Sequence, residues 1–241
     1  MFINSQQVQI RSLLSNLREN IDRRDFPLVI EAFQPVWKIE TPPDFSRFRK
    51  DEEAELLLLA GEFLIEYGKA QAKPAMLESG KDLLTKASDH FWDLGNRDSS
   101  FYCQMLLAVG YSYQGSLEEY EIFLGEAEEY FKNDQKNPVF LQIEVNYLII
   151  ELNKNRLEEA AGRVKNLRPL VASTRNNKIK TIFYLSAGII MRLSGQFNQS
   201  VKYFQAGLAA AEKLGSLHHQ SLICNCLANT YRSQQDFPAA L

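Results

Sequence analysis

Apolar residues on both sides of Ser194-Gly195 follow a helical spacing. Before this turn they recur at steps of three and four, at Phe183, Ala187, Ile190 and Met191. After the turn the same spacing returns at Phe197, Val201, Phe204 and Leu208. Such spacing places each set on one face of an α-helix. The stretch 181–215 therefore predicts a hairpin of two amphipathic helices.

Small residues in this hairpin mark places where backbones must approach closely. We expect Gly188 to face Ser200 across the hairpin, and Gly207 to lie where a following helix passes. A larger side chain at either glycine would hold the helices apart. A single hairpin also leaves one apolar face uncovered, so neighbouring hairpins are expected.

The same pattern recurs with a period of forty residues along most of the chain. Three apolar columns are Leu77, Leu117, Leu157, Phe197 and Phe237; then Leu84, Leu124, Val164 and Phe204; then Phe63, Cys103, Ile143, Phe183 and Ile223. Two columns are mostly small, namely Gly68, Ala108, Gly188 and Ala228 with Leu148 as the exception, and Gly80, Ala160, Ser200 and Ala240 with Tyr120 as the exception. Two helices in a repeat of this length are typical of a solenoid unit.

The N-terminal part predicts a first hairpin in residues 1–41. Asn4 or Ser5 caps its first helix, a break follows at 23–25, and Phe26-Pro27 opens a second helix that runs through Val36. Residues 42–50 form a connector, because the adjacent Pro42 and Pro43 force an extended path.

Beyond the connector we predict a long helix from about 51 to 73, ended by Pro74, and a partner from Met76 to Leu94 that stops at Gly95-Asn96. Residues 51–241 hold the forty-residue repeats, the last one incomplete. The prediction is one all-α domain over 1–241, a right-handed superhelix of about six antiparallel helix hairpins.

These columns resemble the tetratricopeptide repeat. The matching residues are Tyr184, Ala187, Gly188, Met191, Gly195, Phe197, Ser200, Phe204 and Gly207 in one unit, Leu227, Ala228, Tyr231, Phe237 and Ala240 in the last, and Leu107, Ala108, Tyr111, Gly115, Leu117, Leu124 and Ala127 in an earlier one. The period is forty instead of about 34, as in kinesin light chains, bacterial peptide-pheromone receptors and the sensor arms of large bacterial regulators. The unit around Asn155-Arg156 departs from the pattern, with Leu148 and Glu151 where a small residue and Tyr are expected.

This resemblance implies that the first helices of the hairpins line a concave groove that binds a peptide or protein segment. Carried over by column, the groove residues are Tyr102, Met105, Tyr113, Asn146, Ile149, Asn153, Leu185, Ile189, Arg192, Asn225, Asn229 and Arg232. Asn can donate to the carbonyls of a peptide and accept from its amides, whereas Arg192 and Arg232 favour a carboxylate and hence an acidic segment. The alternative is that these are merely solvated surface residues.

Charge gives no reason to expect nucleic acid as a partner, because the formal net charge is −3 and dedicated binders show a strong basic excess. The stretch 117–134 holds seven acids and one Lys, while 154–180 holds eight bases and two acids. These stretches are expected to be solvated faces, or else docking patches.

No apolar run approaches the ~20 residues that cross a bilayer, and the N-terminus lacks the apolar core of a secretion signal, so we expect a cytoplasmic protein without membrane contact.

The residues that could support catalysis or metal binding fit structural roles better. His218 and His219 are adjacent, so they point in different directions on a helix; Cys224 and Cys226 sit on nearly opposite faces, and Cys103 is in apolar pattern. Neither arrangement has the spacing of a zinc site, and three cysteines are not a disulfide framework. We therefore expect no enzyme activity, no metal and no cofactor.

Two further expectations concern the chain as part of something larger. The sixth hairpin stops one turn into its second helix, without a capping helix, so we expect a longer protein in which this chain is the sensing or scaffolding arm of a bacterial regulator. The alternative is an oligomerisation module, in which the last hairpin, or Trp37 with Phe45 and Phe48, pairs chains as a homo-oligomer.

Overall fold

Helices are the only regular secondary structure across residues 2–234, which the computed structural model describes, with side chains described from Gln9 onward. They are α1 Phe2–Arg23, α2 Phe26–Phe33, α3 Lys50–Ala70, α4 Pro74–Asp93, α5 Arg97–Gln114, α6 Leu117–Phe131, α7 Pro138–Asn153, α8 Leu157–Ser173, α9 Asn177–Leu193, α10 Phe197–Leu214 and α11 Leu217–Ser233. The all-α prediction is confirmed.

The helices fall into two compact units, residues 1–130 and residues 131–241. In the first unit α3 pairs with α4 as a hairpin, and α1 and α5 both pack against α3. In the second unit α7 pairs with α8 and α9 with α10, while α7 and α11 both pack against α9. The first helices of neighbouring hairpins therefore lie side by side within each unit, as the repeat predicts. That all 241 residues form a single domain stays a prediction.

The forty-residue columns occupy equivalent positions in the hairpins. Leu117, Leu157 and Phe197 are each the first residue of a second helix. Two further columns are fully buried or nearly so, at no more than 1% exposure: Leu84, Leu124, Val164 and Phe204, and Phe63, Cys103, Ile143, Phe183 and Ile223. The expected members Phe237 and Ala240 lie outside the described residues. Periodicity therefore predicted the core correctly.

The turns inside three hairpins repeat the same backbone geometry. Gly115, Asn155 and Gly195 have φ angles of 81°, 55° and 73°, in the left-handed region. Glycine adopts this region without steric cost, and Asn is among the few other residues that do so readily. Asn155 thus preserves the turn in the unit that departs most from the repeat pattern.

The contact predicted between the helices of the α9–α10 hairpin is present. Ser200 Oγ donates a 2.8 Å hydrogen bond to the carbonyl oxygen of Gly188. A Cβ built on Gly188 would overlap the ring of Phe204, and one on Gly207 would lie 3.2 Å from Tyr184 Cβ and 3.3 Å from Ile223 Cδ1. Both glycines therefore permit the close packing inferred from the sequence.

Three predicted helix boundaries are wrong. Helix α1 begins at Phe2, so Asn4 and Ser5 lie inside it instead of capping it, since nothing in the preceding residues interrupts a helix. Helix α2 ends at Phe33 and not beyond Val36, because Pro35 cannot donate the next helical hydrogen bond. Pro74 is the first residue of α4 and not only the stop of α3, as suits proline in a first helical turn.

The aromatic residues near the connector form part of the core. Trp37 and Phe45 are 5% and 2% exposed, and their rings meet edge to face with centroids 6.3 Å apart. Trp37 Nε1 donates a 2.7 Å hydrogen bond to the carbonyl oxygen of Thr41. The expectation that this aromatic cluster pairs chains is therefore wrong, because two of its three rings are covered within one chain.

Candidate peptide-binding surface

Side chains from α7, α9 and α11 make up the candidate surface of the second unit. The structure places Asn146, Ile149, Leu185, Ile189 and Arg192 as half-buried residues, and Asn153, Asn225, Asn229 and Arg232 as exposed ones. Since α9 packs against both α7 and α11, these side chains come from three neighbouring first helices. We call this set the α7–α9–α11 surface.

Three of the predicted site residues meet around one cavity. Arg192 from α9 and Asn229 and Arg232 from α11 line an open cavity of about 470 Å³ together with Ser233. Among the residues that the structure describes, Arg192 Nε is buried without a hydrogen-bond partner, and the four residues that line the cavity include no acid. Two arginines that line one cavity suit an anionic ligand group, which Arg binds with two parallel hydrogen bonds.

Asparagines on α11 extend this cavity along the helix. Asn225 and Asn229 are one turn apart, and Asn229 Nδ2 donates to Asn225 Oδ1 over 3.4 Å. Ser233 Oγ donates a 2.9 Å hydrogen bond to the carbonyl oxygen of Asn229. Because both asparagines are exposed, their amides can also pair with the backbone of an extended chain.

Apolar residues of α9 hold this part of the surface in place. Leu185 and Ile189 pack against the core cluster of Phe204, Ala211 and Ile223. On α7, Asn146 Nδ2 donates a 3.0 Å hydrogen bond to the carbonyl oxygen of Gln142, within its own helix. The surface therefore combines a half-buried apolar floor on α9 with polar groups on α11.

The three predicted site residues of α5 lie in the first unit and contact its own side chains. Arg18 of α1 lies over the Tyr102 ring, 5.7 Å from its centroid. Tyr113 Oη donates a 3.1 Å hydrogen bond to Glu66, and burial together with this carboxylate raises the pKa of Tyr113. Met105 is only 3% exposed and belongs to the core. We therefore leave these three residues out of the proposed surface.

A charged cluster in the α7–α8 hairpin was not anticipated from the sequence. Arg163 of α8 donates to Glu151 over 2.8 Å and to Glu144 over 2.5 Å, and its guanidinium lies 4.8 Å from the Tyr147 ring centroid. Both glutamates are 8% exposed. The only indication of this cluster in the sequence was Glu151, which stands in a column where the repeat favours Tyr. Arg163 compensates the charge of Glu151.

The histidines and cysteines have structural surroundings. Ser216 caps α11 by accepting from the His219 backbone N–H, and its hydroxyl lies 2.8 Å from His219 Nδ1. Cys103 is buried, which raises the pKa of its thiol, and Cys224 and Cys226 are free. Over the described range, no three His, Cys, Asp or Glu residues are grouped so as to hold a metal ion. Nor does any helix there have the length and apolar character required to cross a membrane.

Comparison with known proteins gives matches among solved structures alone. No protein-family model matches the sequence, and no curated protein matches it. NprR, in complex with its cognate peptide NprX, is 15% identical with a TM-score of 0.63, over 97% of this chain and 64% of the NprR chain. BtubC (BKLC) from P. vanneervenii is 15% identical with a TM-score of 0.55, over 80% of this chain and 87% of that chain.

A third similar structure consists of repeats that are described as TPR-like. The nearly identical TPR-like repeats of a putative kinesin light chain from Podosopora anserina are 14% identical with a TM-score of 0.53, over 79% of this chain and 89% of that chain. Identities this low establish a common fold and nothing further. With its forty-residue hairpin repeat and these structural neighbours, the chain has the fold of tetratricopeptide-like repeat proteins.

Proposed function

We propose that the protein is a non-catalytic binding module that holds a peptide or protein segment on the α7–α9–α11 surface. The observation that carries this proposal is the convergence of Arg192, Asn229 and Arg232 around one open cavity. These residues come from two helices and stand in matching columns, with Arg192 and Arg232 forty positions apart. Arg192 Nε has no hydrogen-bond partner among the described residues, and a bound carboxylate would supply one.

An acidic segment suits this surface best. Arg192 and Arg232 would bind a side-chain or terminal carboxylate, while Asn225 and Asn229 would bind the backbone on either side of it. Backbone binding tolerates many sequences, so the arginines would provide the selectivity. The half-buried Leu185 and Ile189 offer apolar contact to a neighbouring side chain.

Structural similarity supports the class of partner and leaves its identity open. NprR has the same fold and is bound to a peptide, and this fold repeatedly presents surfaces for extended segments. We also propose, on the resemblance alone, that the protein serves as a sensing or scaffolding arm of a regulatory or signalling protein. A cytoplasmic location is part of the proposal, since its three free thiols suit a reducing compartment.

Retention of a peptide library tests the proposed surface. Wild-type protein and the double variant Asn229→Ala with Arg232→Ala would be immobilised and exposed to the same library. We expect the wild type to enrich peptides that carry Asp, Glu or a free carboxyl terminus, and the double variant to lose that enrichment. Equal retention by both proteins would remove the site assignment. Lys202→Ala with Gln205→Ala, on the exposed side of α10, is the matched control.

Self-association is the second candidate function, and the exposed Leu217 of α11, at 75% exposure, is the observation that favours it. Light scattering across a concentration series distinguishes the two. A molar mass near 27.6 kDa at all concentrations supports a monomeric binding module. A concentration-dependent dimer that Leu217→Ser abolishes would favour oligomerisation.

A further inference from the structure

Ion pairs join α1, and the residue that follows it, to α3 within the first unit. Arg18 of α1 donates a 2.7 Å hydrogen bond to Glu62 of α3, across 44 sequence positions. Arg24, which follows α1, forms an ion pair with Glu66. In the first pair the Glu62 side chain is 3% exposed and the Arg18 side chain 31%. These two ion pairs connect the α1 end of the first hairpin to α3.

Two helical turns before Arg18 and Glu62, the corresponding charged residues form no ion pair with any described residue. Arg11 and Glu55 are also separated by 44 positions, and each lies seven residues before its counterpart in the Arg18–Glu62 pair. Seven residues are two helical turns, so Arg11 and Glu55 share the faces of Arg18 and Glu62. Within the described part of the chain neither has an ion-pair partner, and both line one half-open cavity of about 440 Å³.

The other charged groups of this cavity are already paired. Arg49 Nε donates a 3.0 Å hydrogen bond to Asp51, and the Arg49 backbone N–H donates to Glu52 over 3.2 Å. Arg11 and Glu55 therefore remain as one cation and one anion that form no ion pair with any described residue. The uncharged residues that line the cavity are the apolar Ile10, Leu14, Phe91 and Leu94 and the polar Asn96.

Glu55 is held in surroundings that do not favour its charge. Burial raises the pKa of this carboxyl, and Arg18 only partly opposes the effect because it is committed to Glu62. A cationic ligand group beside Glu55 would relieve this cost, since an opposite charge at short range stabilises the ionised form. The exposed guanidinium of Arg11 offers the complementary site for a carboxylate.

We propose that this cavity binds a small zwitterion with an apolar body, of which an apolar α-amino acid is the simplest example. The ammonium group pairs with Glu55, the carboxylate pairs with Arg11, and the side chain lies against Ile10, Leu14 and Phe91. A volume of about 440 Å³ is at the lower end for small-molecule pockets, which span ~300–1,000 Å³. This site is in the first unit and does not depend on the proposed peptide surface.

Calorimetric titration of the 241-residue chain with L-leucine and L-phenylalanine tests this site. We expect saturable binding of at least one of them. The matched analogues 3-phenylpropionate, which lacks the ammonium group, and 2-phenylethylamine, which lacks the carboxylate, would bind about tenfold more weakly or worse than L-phenylalanine, because each loses a charge-assisted hydrogen bond. The analogues probe the wild type and do not depend on any variant folding.

Variants then locate the binding site. Glu55→Gln and Arg11→Gln would each weaken binding by about tenfold, with unchanged helicity by circular dichroism. Glu53→Gln and Arg47→Gln are matched controls outside the cavity and would bind as the wild type does. Absence of saturable binding by both amino acids, equal binding of the analogues, or wild-type affinity in the Glu55 and Arg11 variants would each overturn the proposal.

Discussion

Ser200 and Gly188 join the two helices of the α9–α10 hairpin through a buried hydrogen bond of 2.8 Å, donated by the serine hydroxyl to the glycine carbonyl oxygen. The same small columns contain Gly80 and Ala160, and Gly80 is equally confined, with 2.9 Å between a built Cβ and the Gly61 carbonyl oxygen. Close approach of the paired helices is therefore a property of the repeat. It fixes where the first helices, and the side chains on them, are placed.

Replacing Gly188 with Ala should destabilise the protein. The added methyl group would overlap the Phe204 ring, and overpacking of this kind costs about 1–3 kcal/mol. Gly162→Ala is the matched control on α8, because a Cβ there meets nothing within 4 Å. That substitution should raise the free energy of unfolding by about 0.5–1 kcal/mol through helix propensity alone. Urea denaturation monitored by circular dichroism measures both, and a neutral effect at Gly188 would contradict the close packing.

Asn155 should be replaceable by glycine but not by valine. Its φ of 55° lies in the left-handed region, which costs a β-branched residue about 1–2 kcal/mol. Asn155→Val should therefore lower the free energy of unfolding by that amount, whereas Asn155→Gly should leave it nearly unchanged. Chemical denaturation of the two variants checks this, and equal stability of both would show that the turn is not left-handed.

Replacement of Arg163 should destabilise the charged cluster of the α7–α8 hairpin. Arg163→Gln removes the cation that pairs with both Glu144 and Glu151, each of which is 8% exposed. We expect a loss of roughly 2 kcal/mol, below the ~3–5 of a fully buried pair, since the Arg163 side chain keeps 28% exposure. Arg168→Gln, on an exposed side of the same helix, should change stability by less than about 0.5 kcal/mol. Thermal and urea unfolding would compare the two variants. Equal effects would show that the charged cluster does not contribute to the free energy of unfolding.

Glu55 should make stability depend on pH in a defined direction. Burial raises the pKa of its carboxyl in the folded state above the usual value of 4.5, so folding favours the protonated form. The stabilising contribution is therefore complete below the unfolded pKa and is lost as pH rises through the folded pKa. Glu55→Gln should be more stable than the wild type at pH 7, with the difference vanishing below about pH 4.

The control for this comparison is Glu40→Gln, at an exposed position between α2 and α3. Its effect should stay within about 0.5 kcal/mol at both pH values. Urea denaturation at pH 7 and at pH 4 measures all three proteins. A Glu55→Gln variant that is less stable at pH 7 than the wild type would show that the carboxylate has a favourable partner in the folded state.

The repeat could be predicted from the sequence because residues forty positions apart occupy the same packing position in each hairpin. One such column consists of apolar residues that are all at least nearly fully buried: Leu84, Leu124, Val164 and Phe204. Hydrophobic periodicity alone was sufficient to identify it. Helix ends were less predictable, since the end of α2 at Phe33 depends on one proline, and the start of α1 at Phe2 on the absence of any breaker.

The candidate sites were only partly predictable, for a different reason. Column position selected Arg192, Asn229 and Arg232, which the structure brings to one cavity, and it also selected Met105, which turns into the core. Side-chain partners such as Glu151 with Arg163, or Arg18 with Glu62, depend on the rotation of each helix. The cavity between Arg11 and Glu55 was not visible because the connector sets the first hairpin out of register with the forty-residue repeat.

Hydrogen–deuterium exchange with and without a retained acidic peptide tests the central claim most directly. The account predicts slower exchange confined to 177–193 and 217–233, the helices α9 and α11 that carry Arg192, Asn229 and Arg232. The Asn229→Ala with Arg232→Ala variant should show no such protection at the same peptide concentration. Protection limited to residues 1–130, or to the second helices α8 and α10, would contradict the assignment of the binding surface.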